Sequence, residues 1–215
     1  WYTSTVTLTL TATDATSGIA SRTFNSANYS APVTLSTEGT TTYTYSTTDA
    51  AGNVSATQTV TVKIDTIKPV TLFSSPANSV WLDGVVTLSG ASADSSSGVA
   101  QAQISVDGGA WQNATGGSTW TYSLNTATLS DGAHTIRARA TDNAGNLEST
   151  ATLIINVDNT TPSASVTADC PSMGNDNWCR TPLNVVVSGG AGGSGLQSLV
   201  YSYNGSATTI STRPP

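Results

Sequence analysis

The chain repeats itself in register, and this constrains its fold more than any other feature. Trp1, Trp81 and Trp178 each stand 13 residues before a fixed point, which is Asp14, Asp94 and Ala191. A Ser-Gly pair closes the motif each time, as Ser17-Gly18, Ser97-Gly98 and Ser194-Gly195. A second block recurs as Asp49-Ala-Ala-Gly52-Asn53 and Asp142-Asn-Ala-Gly145-Asn146. Sixteen residues after its first Asp comes another, Asp65 or Asp158, and four further on a proline, Pro69 or Pro162. Spacings held without a gap over separate stretches mean one structural unit used several times.

The units read as strand. In Thr5–Thr13 the apolar Val6, Leu8, Leu10 and Ala12 share one face and Thr fills the other. That is the pattern of a half-buried antiparallel strand. Tyr43 and Tyr45, then Val60, Val62 and Ile64, point inward in the same way, and 135–141 and 151–157 echo them. Asp107-Gly108 between two strand-like runs is a hairpin signal. No segment shows helical spacing over three turns, so the fold class is all-β, a row of sandwiches with turns between short strands. The spacing predicts a first unit at 1–65, a linker at 66–68, a complete unit at 69–158, a linker at 159–161 and a third unit at 162–215. The first is expected to lack its first strand and the third its last strands, as in a window on a longer protein. The three Trp are expected to open the second strand of each unit and to pack in its core.

Charged residues are only 9% of the chain and Ser plus Thr about a third, while 37% are hydrophobic, enough for sandwich cores. Net charge is −6 and the pI about 4.3, so no basic patch exists to hold a phosphate backbone, and nucleic acid is excluded as a partner. No run of 18 apolar residues is present, so no membrane-inserting helix is expected. The chain starts without Met or a signal peptide and reads as a mature or excised piece. Cys170 and Cys179 flank a loop of turn formers, and a disulfide is expected between them in an extracellular setting.

Residues 1–20 resemble the bacterial Ig-like repeats of large secreted and surface proteins, as do Ser105-Val-Asp-Gly-Gly-Ala-Trp111 and Ala140-Thr-Asp-Asn-Ala-Gly-Asn146. The resemblance implies tandem immunoglobulin-like β-sandwiches and a place at the cell surface or outside it. Such repeats serve as adhesin stalks, surface-layer or sheath components, or spacers beside secreted enzymes. The third unit departs from the pattern, with Ala191 in place of Asp and a Gly-rich stretch from Gly189 to Gly195.

Catalysis is not expected. The single His134 sits at a turn entering a strand, is expected to be half-exposed there, and has no second base for a nucleophilic triad. The Asp positions are the candidates for chemistry. In a sandwich the loops after Asp94 and Asp142 share one end, and the preceding linker brings Asp65 to it. Asp65, Asp94, Asp142 and Asn146 would offer oxygen ligands for a Ca²⁺ ion at the first linker. The competing role is turn capping, with each Asp accepting backbone N–H groups. Trp111 and Trp120 are the candidates for carbohydrate contact. The function expected is a structural repeat array of an extracellular or cell-surface protein, such as an adhesin stalk, filament or sheath. Its partners would be neighbouring copies or other surface proteins, with glycans possible and no required cofactor. The alternative is a carbohydrate-binding accessory region of a secreted enzyme.

Overall fold

The computed structural model describes residues 1–170, 172–173, 184–203 and 206–211. Six strands come before the first linker: β1 (Val6–Leu8), β2 (Ile19–Phe24), β3 (Ala27–Asn28), β4 (Val33–Leu35), β5 (Gly39–Asp49) and β6 (Gln58–Ile64). They form one two-stranded sheet, β1-β4, and one four-stranded sheet, β3-β2-β5-β6. The expected long strand over 5–13 is paired only from Val6 to Leu8, against Leu35 to Val33. The alternation predicted for β5 and β6 brings Tyr43, Val62 and Ile64 into a core with Phe24 and Leu35. The Phe24 and Tyr43 rings stack there at 5.2 Å.

Nine strands follow: β7 (Val70–Ser75), β8 (Trp81–Leu82), β9 (Val85–Ala93), β10 (Val99–Val106), β11 (Gln112–Asn113), β12 (Thr115–Gly116), β13 (Thr119–Asn125), β14 (Gly132–Asp142) and β15 (Ala151–Val157). Their sheets are β12-β13-β9-β7 and β11-β10-β14-β15-β8. Two facing sheets of this order make an immunoglobulin-like sandwich. Asp107 and Gly108 both have positive φ, 49° and 73°, as a type I′ turn requires, and the Gly109 amide closes it on the Val106 carbonyl at 2.8 Å. Among the described residues the helical structure is one three-residue 3-10 turn, Thr126–Thr128. After the second linker, β16 (Ser163–Asp169) pairs with β17 (Asn184–Gly190), and β18 (Ser198–Tyr203) with β19 (Ser206–Ser211).

The expected place of the tryptophans needs correction. Trp81 does not open the strand that carries Asp94. It lies on the separate short strand β8, which pairs parallel with the end of β15, Trp81 opposite Asn156 and Leu82 opposite Val157. Tyr2, beside Trp1, makes the matching parallel bridge to Ile64. Both indoles are therefore carried at the edge of a sheet. Trp1 is 40% exposed, with the Lys63 ammonium 5.7 Å from its ring centre, and Trp81 is half-buried. Trp178 and Cys179 lie outside the described residues, and with Cys179 the expected Cys170–Cys179 pair.

The fold divides into two compact units. One comprises Trp1–Ser75, Leu88–Tyr122 and Arg137–Thr152, and the other Pro76–Thr87, Ser123–Ile136 and Leu153–Pro215. The first holds the first linker with the residues around it. The second holds the second linker with its own surroundings.

Candidate functional site

At the first linker, Asp65 follows directly on β6 and is fully buried. Its Oδ1 accepts from the Ile67 amide (3.1 Å) and its Oδ2 from the Ser97 amide (3.0 Å). Asp94 comes one residue after β9, and its Oδ1 accepts from the amides of Ser96 (3.1 Å) and Gly98 (2.7 Å). Asp142 is the last residue of β14 and 2% exposed. Its Oδ1 gathers the amides of Ala144, Gly145 and Asn146 at 2.9, 2.7 and 2.8 Å. The Asn146 side chain donates to Asp142 Oδ2 (2.8 Å) and to the linker carbonyls of Asp65 (2.9 Å) and Ile67 (3.3 Å).

The sequence register thus brings all four residues together. Carboxylate oxygens of Asp65, Asp94 and Asp142 lie within 4.8 Å of one another. Among the described residues no Lys or Arg forms an ion pair with them. Asp94 Oδ2 is buried with no hydrogen-bond partner. Three carboxylates this close repel by about 3 kcal/mol per pair at an effective dielectric near 20. A hard divalent cation would reverse the sign of that term, and a set of carboxylate oxygens with one oxygen otherwise orphaned fits such an ion. Asn146 is occupied in another way, because its amide nitrogen grips the linker. Turn capping thus uses the same side chains that a metal ion would need. The backbone amides take one oxygen of Asp94, while the other is left over.

The second linker uses the same grip. Asp158 Oδ2 accepts from the Ser194 amide (2.8 Å) and from the Ser194 hydroxyl, and Oδ1 from the Thr160 amide (3.1 Å). Ser194 stands where Ser97 stands in the central repeat. The glycines of 189–195 let the loop close in. A Cβ on Gly192 would meet Asp158 Oδ1 at 2.6 Å, and one on Gly193 the Trp81 ring at 2.9 Å. An open cleft of about 490 Å³ here is lined by Trp81, Asp83, Gly84, Asp158, Asn159 and Thr160 among others. The polar groups of Asp158 and Asn159 are taken up internally, the latter by Thr126 and Leu129.

A second half of each clasp was not anticipated. Glu38 accepts from the Thr66 amide (3.0 Å) and hydroxyl (2.6 Å), and Asp131 accepts from the Asn159 amide (2.7 Å) and the Thr160 hydroxyl. Glu38 and Asp131 each precede the Asp of the Asp-x-Ala-Gly-Asn block by 11 residues, so the signal was present in the register. Each linker is held by a carboxylate from the repeat before it and by a serine amide from the repeat after it. Glu148 adds a staple inside the central repeat. It accepts from the amide and hydroxyl of Thr71 on the edge strand β7 and from the Ala140 amide.

The aromatic candidates come out differently. Trp120 is 1% exposed and packs edge-on against Phe73 at 5.4 Å, so it offers no surface to a sugar. That expectation is corrected: β13 turns Trp120 into the core, where Gly90 leaves room for the indole. Trp111 is half-buried, and the Arg139 guanidinium lies over one face of its ring, 4.1 Å from the centre. His134 is also buried rather than half-exposed, and its Nε2 donates to the Ser130 carbonyl at 2.7 Å.

The architecture and the recurring loop residues define an immunoglobulin-like β-sandwich protein with repeat-to-repeat clasps. Residues 86–159 match the family model of the bacterial Ig-like domain, and the central sandwich is a bacterial Ig-like domain. No curated protein matches the chain. Among solved structures, the endo-β-1,4-mannanase from Thermotoga petrophila is similar at 16% identity and a TM-score of 0.38, over 44% of this chain and 21% of the mannanase. The fibronectin(III)-like modules of Clostridium thermocellum CbhA are similar at 18% identity and a TM-score of 0.34, over 41% of this chain and 96% of theirs. The chain thus spans about a fifth of the mannanase it matches. Among the described residues no helix is long and apolar enough to cross a membrane.

One pH dependence follows from the second clasp. The Ser194 hydroxyl and amide, with the Thr160 amide, hold the Asp158 carboxyl below its ordinary value of 3.8. A depressed carboxylate pKa contributes stability above the unfolded value and loses it as pH falls through the folded one. The Ser194 amide proton resonance should therefore titrate with a midpoint below pH 3.8. A midpoint at or above 3.8 in an NMR titration would contradict the clasp.

Proposed function

We propose that the chain is a structural repeat array of an extracellular or cell-surface protein, of the adhesin-stalk, filament or sheath kind, with no catalytic role of its own. The observation that carries this reading is the clasp repeated at both linkers, Asp65 to Ser97 and Asp158 to Ser194, each backed by Glu38 or Asp131. A flexible tether has no use for a carboxylate bonded to the next repeat at each of its linkers. A spacer that must hold neighbouring domains in a set geometry does, because inter-domain surfaces otherwise leave domains free to move. The match to the bacterial Ig-like family model and the Ser/Thr-rich composition support a site outside the cytoplasm. The acidic cluster at the first linker supports Ca²⁺ as the stiffening ion, held by Asp65, Asp94 and Asp142 with Asn146 gripping the linker beside it. Neighbouring copies and other surface proteins are the partners this reading implies.

The test is the width of an inter-domain distance distribution. Spin labels at the exposed Thr59 and Thr121 should give a narrow distribution in the native chain with calcium. Asp65→Ala should broaden it severalfold while each sandwich keeps its own fold. Equally broad distributions in both proteins would mean the linker is a tether and would remove the spacer reading.

A further inference from the structure

We infer that the end of the first sandwich bearing Asp14, Ser17, Asp49 and Asn53 is a docking surface for the strand end and linker of another repeat of this kind, recognised as an Asp-x-x-x-Pro segment. In the central repeat two donors grip the incoming linker. The Ser97 amide holds Asp65 Oδ2, and the Asn146 side chain holds the carbonyls of Asp65 and Ile67. The third repeat grips Asp158 with the Ser194 amide in the same way. The first sandwich carries the same donors at the same spacing, Ser17 and Asn53.

There the donors are turned inward. The Ser17 amide donates to Asp14 Oδ2 at 2.7 Å, beside the amides of Thr16 and Gly18 on the same oxygen. Its counterpart Asp94 receives only the matching Ser96 and Gly98 amides, since Ser97 has gone to the linker. The Asn53 side chain donates to Asp49 Oδ2 at 2.7 Å, without the two linker carbonyls that Asn146 holds. The aliphatic residue after this Asn follows suit, as Val54 is 67% exposed and Leu147 only 40%. A segment with one carboxylate and two free carbonyls, spaced as in Asp65–Ile67, would redirect both donors and cover Val54. Pro69 and Pro162 mark the same distance after the carboxylate in both linkers. The docking needs no calcium in principle, since Asp158 is gripped where Ala191 replaces the second ligand.

The test uses the full chain, labelled with ¹⁵N, and a synthetic peptide with the sequence of residues 63–69, Lys-Ile-Asp-Thr-Ile-Lys-Pro. A short linker presents its segment at an effective concentration of millimolar order, so the peptide is taken to about 10 mM. The Ser17 and Gly18 amides and the Asn53 side-chain amide should shift saturably, and those of Ser97 and Asn146 should stay in place. A peptide with Asn for its Asp, and Asn53→Ala in the chain, should each weaken the effect at least tenfold. Titrations with Ca²⁺ and with chelator show whether the ion contributes, and a saturable response in either supports the surface. Absence of saturable shifts at Ser17 in both, or equal shifts with the Asn peptide, would overturn it. Neither result depends on how rigid the linkers are, so the spacer reading stands or falls separately.

Discussion

Trp120→Ala should lower the stability of the central sandwich by about 3–5 kcal/mol, the range for removing a large buried aromatic. The indole is 1% exposed, and its edge-on contact with Phe73 at 5.4 Å joins β13 to the edge strand β7 across β9. For a domain of this size each kcal/mol moves the thermal midpoint by about 4–8 °C, so a fall of roughly 15 °C or more is expected in calorimetry. Gly90→Ala should act from the other side of the same contact. Its Cβ would stand 2.1 Å from the Trp120 ring and 2.3 Å from the Leu72 carbonyl, with backbone on one side and a trapped indole on the other. Overpacking of that kind costs about 1–3 kcal/mol or more. Trp111→Ala is the control. It removes one face-on contact with Arg139 at a half-buried site, worth about 0.5–1 kcal/mol. A Trp120→Ala protein melting within a few degrees of the native chain would show that the indole is not part of the core.

Calcium should raise the thermal midpoint, and Asp94 should decide by how much. An ion present at 100 times its dissociation constant stabilises by about 2.7 kcal/mol. Asp94→Ala should cost much more with calcium than with chelator. With calcium it removes a ligand and most of the gain. With chelator it removes a carboxylate whose Oδ2 is buried and unpartnered, within 4.8 Å of two others, which offsets the loop caps lost with it. Asp94 also caps Ser96 and Gly98, so Asp94→Asn is the companion variant that keeps an acceptor for the loop. Melting curves of the three proteins in both conditions give the answer. If the native chain melts at one temperature with and without calcium, only the capping role remains.

Much of this is legible in the sequence. Period-two alternation located β5, β6, β14 and β15, because a strand with one face on a core must alternate. The register of repeated Asp residues placed Asp65, Asp94, Asp142 and Asn146 at one end of a sandwich, and they meet there. What escaped depends on contacts far apart in sequence. Trp120 shares its face of β13 with Tyr122 and Leu124, so its burial follows the same period-two alternation, and only the room that Gly90 leaves for the indole rests on a contact distant in sequence. Trp81 precedes β9 by so little that it reads as the start of that strand. The Asp83-Gly84 turn between them, with Gly84 at φ 67°, lets β8 leave for the other sheet. Glu38 and Asp131 were visible as a matched pair, but a single acid before a strand carries no meaning until the linker is seen to bond it.

Asp65 belongs by sequence to the first sandwich and by burial to the second. The cooperative folding unit is consequently out of phase with the sandwich. If the central repeat unfolds, Asp65 is uncovered, the Ser97 and Asn146 bonds are lost, and the end of β6 frays with them. Stability along such a chain is a sum of repeat terms and nearest-neighbour terms, and here the neighbour term is concentrated in a few bonds at each boundary. An excised repeat cut at Asp65 would leave that carboxylate behind and deprive the next fold of its cap. A cassette that starts on the β6 side of Asp65 and runs through β15 would keep the carboxylate with the Ser97 and Asn146 donors that cover it, whereas a cut at Trp81 would part β7 from β9. Recombined arrays should therefore tolerate exchange before Asp65 and resist it between Asp65 and Ser97.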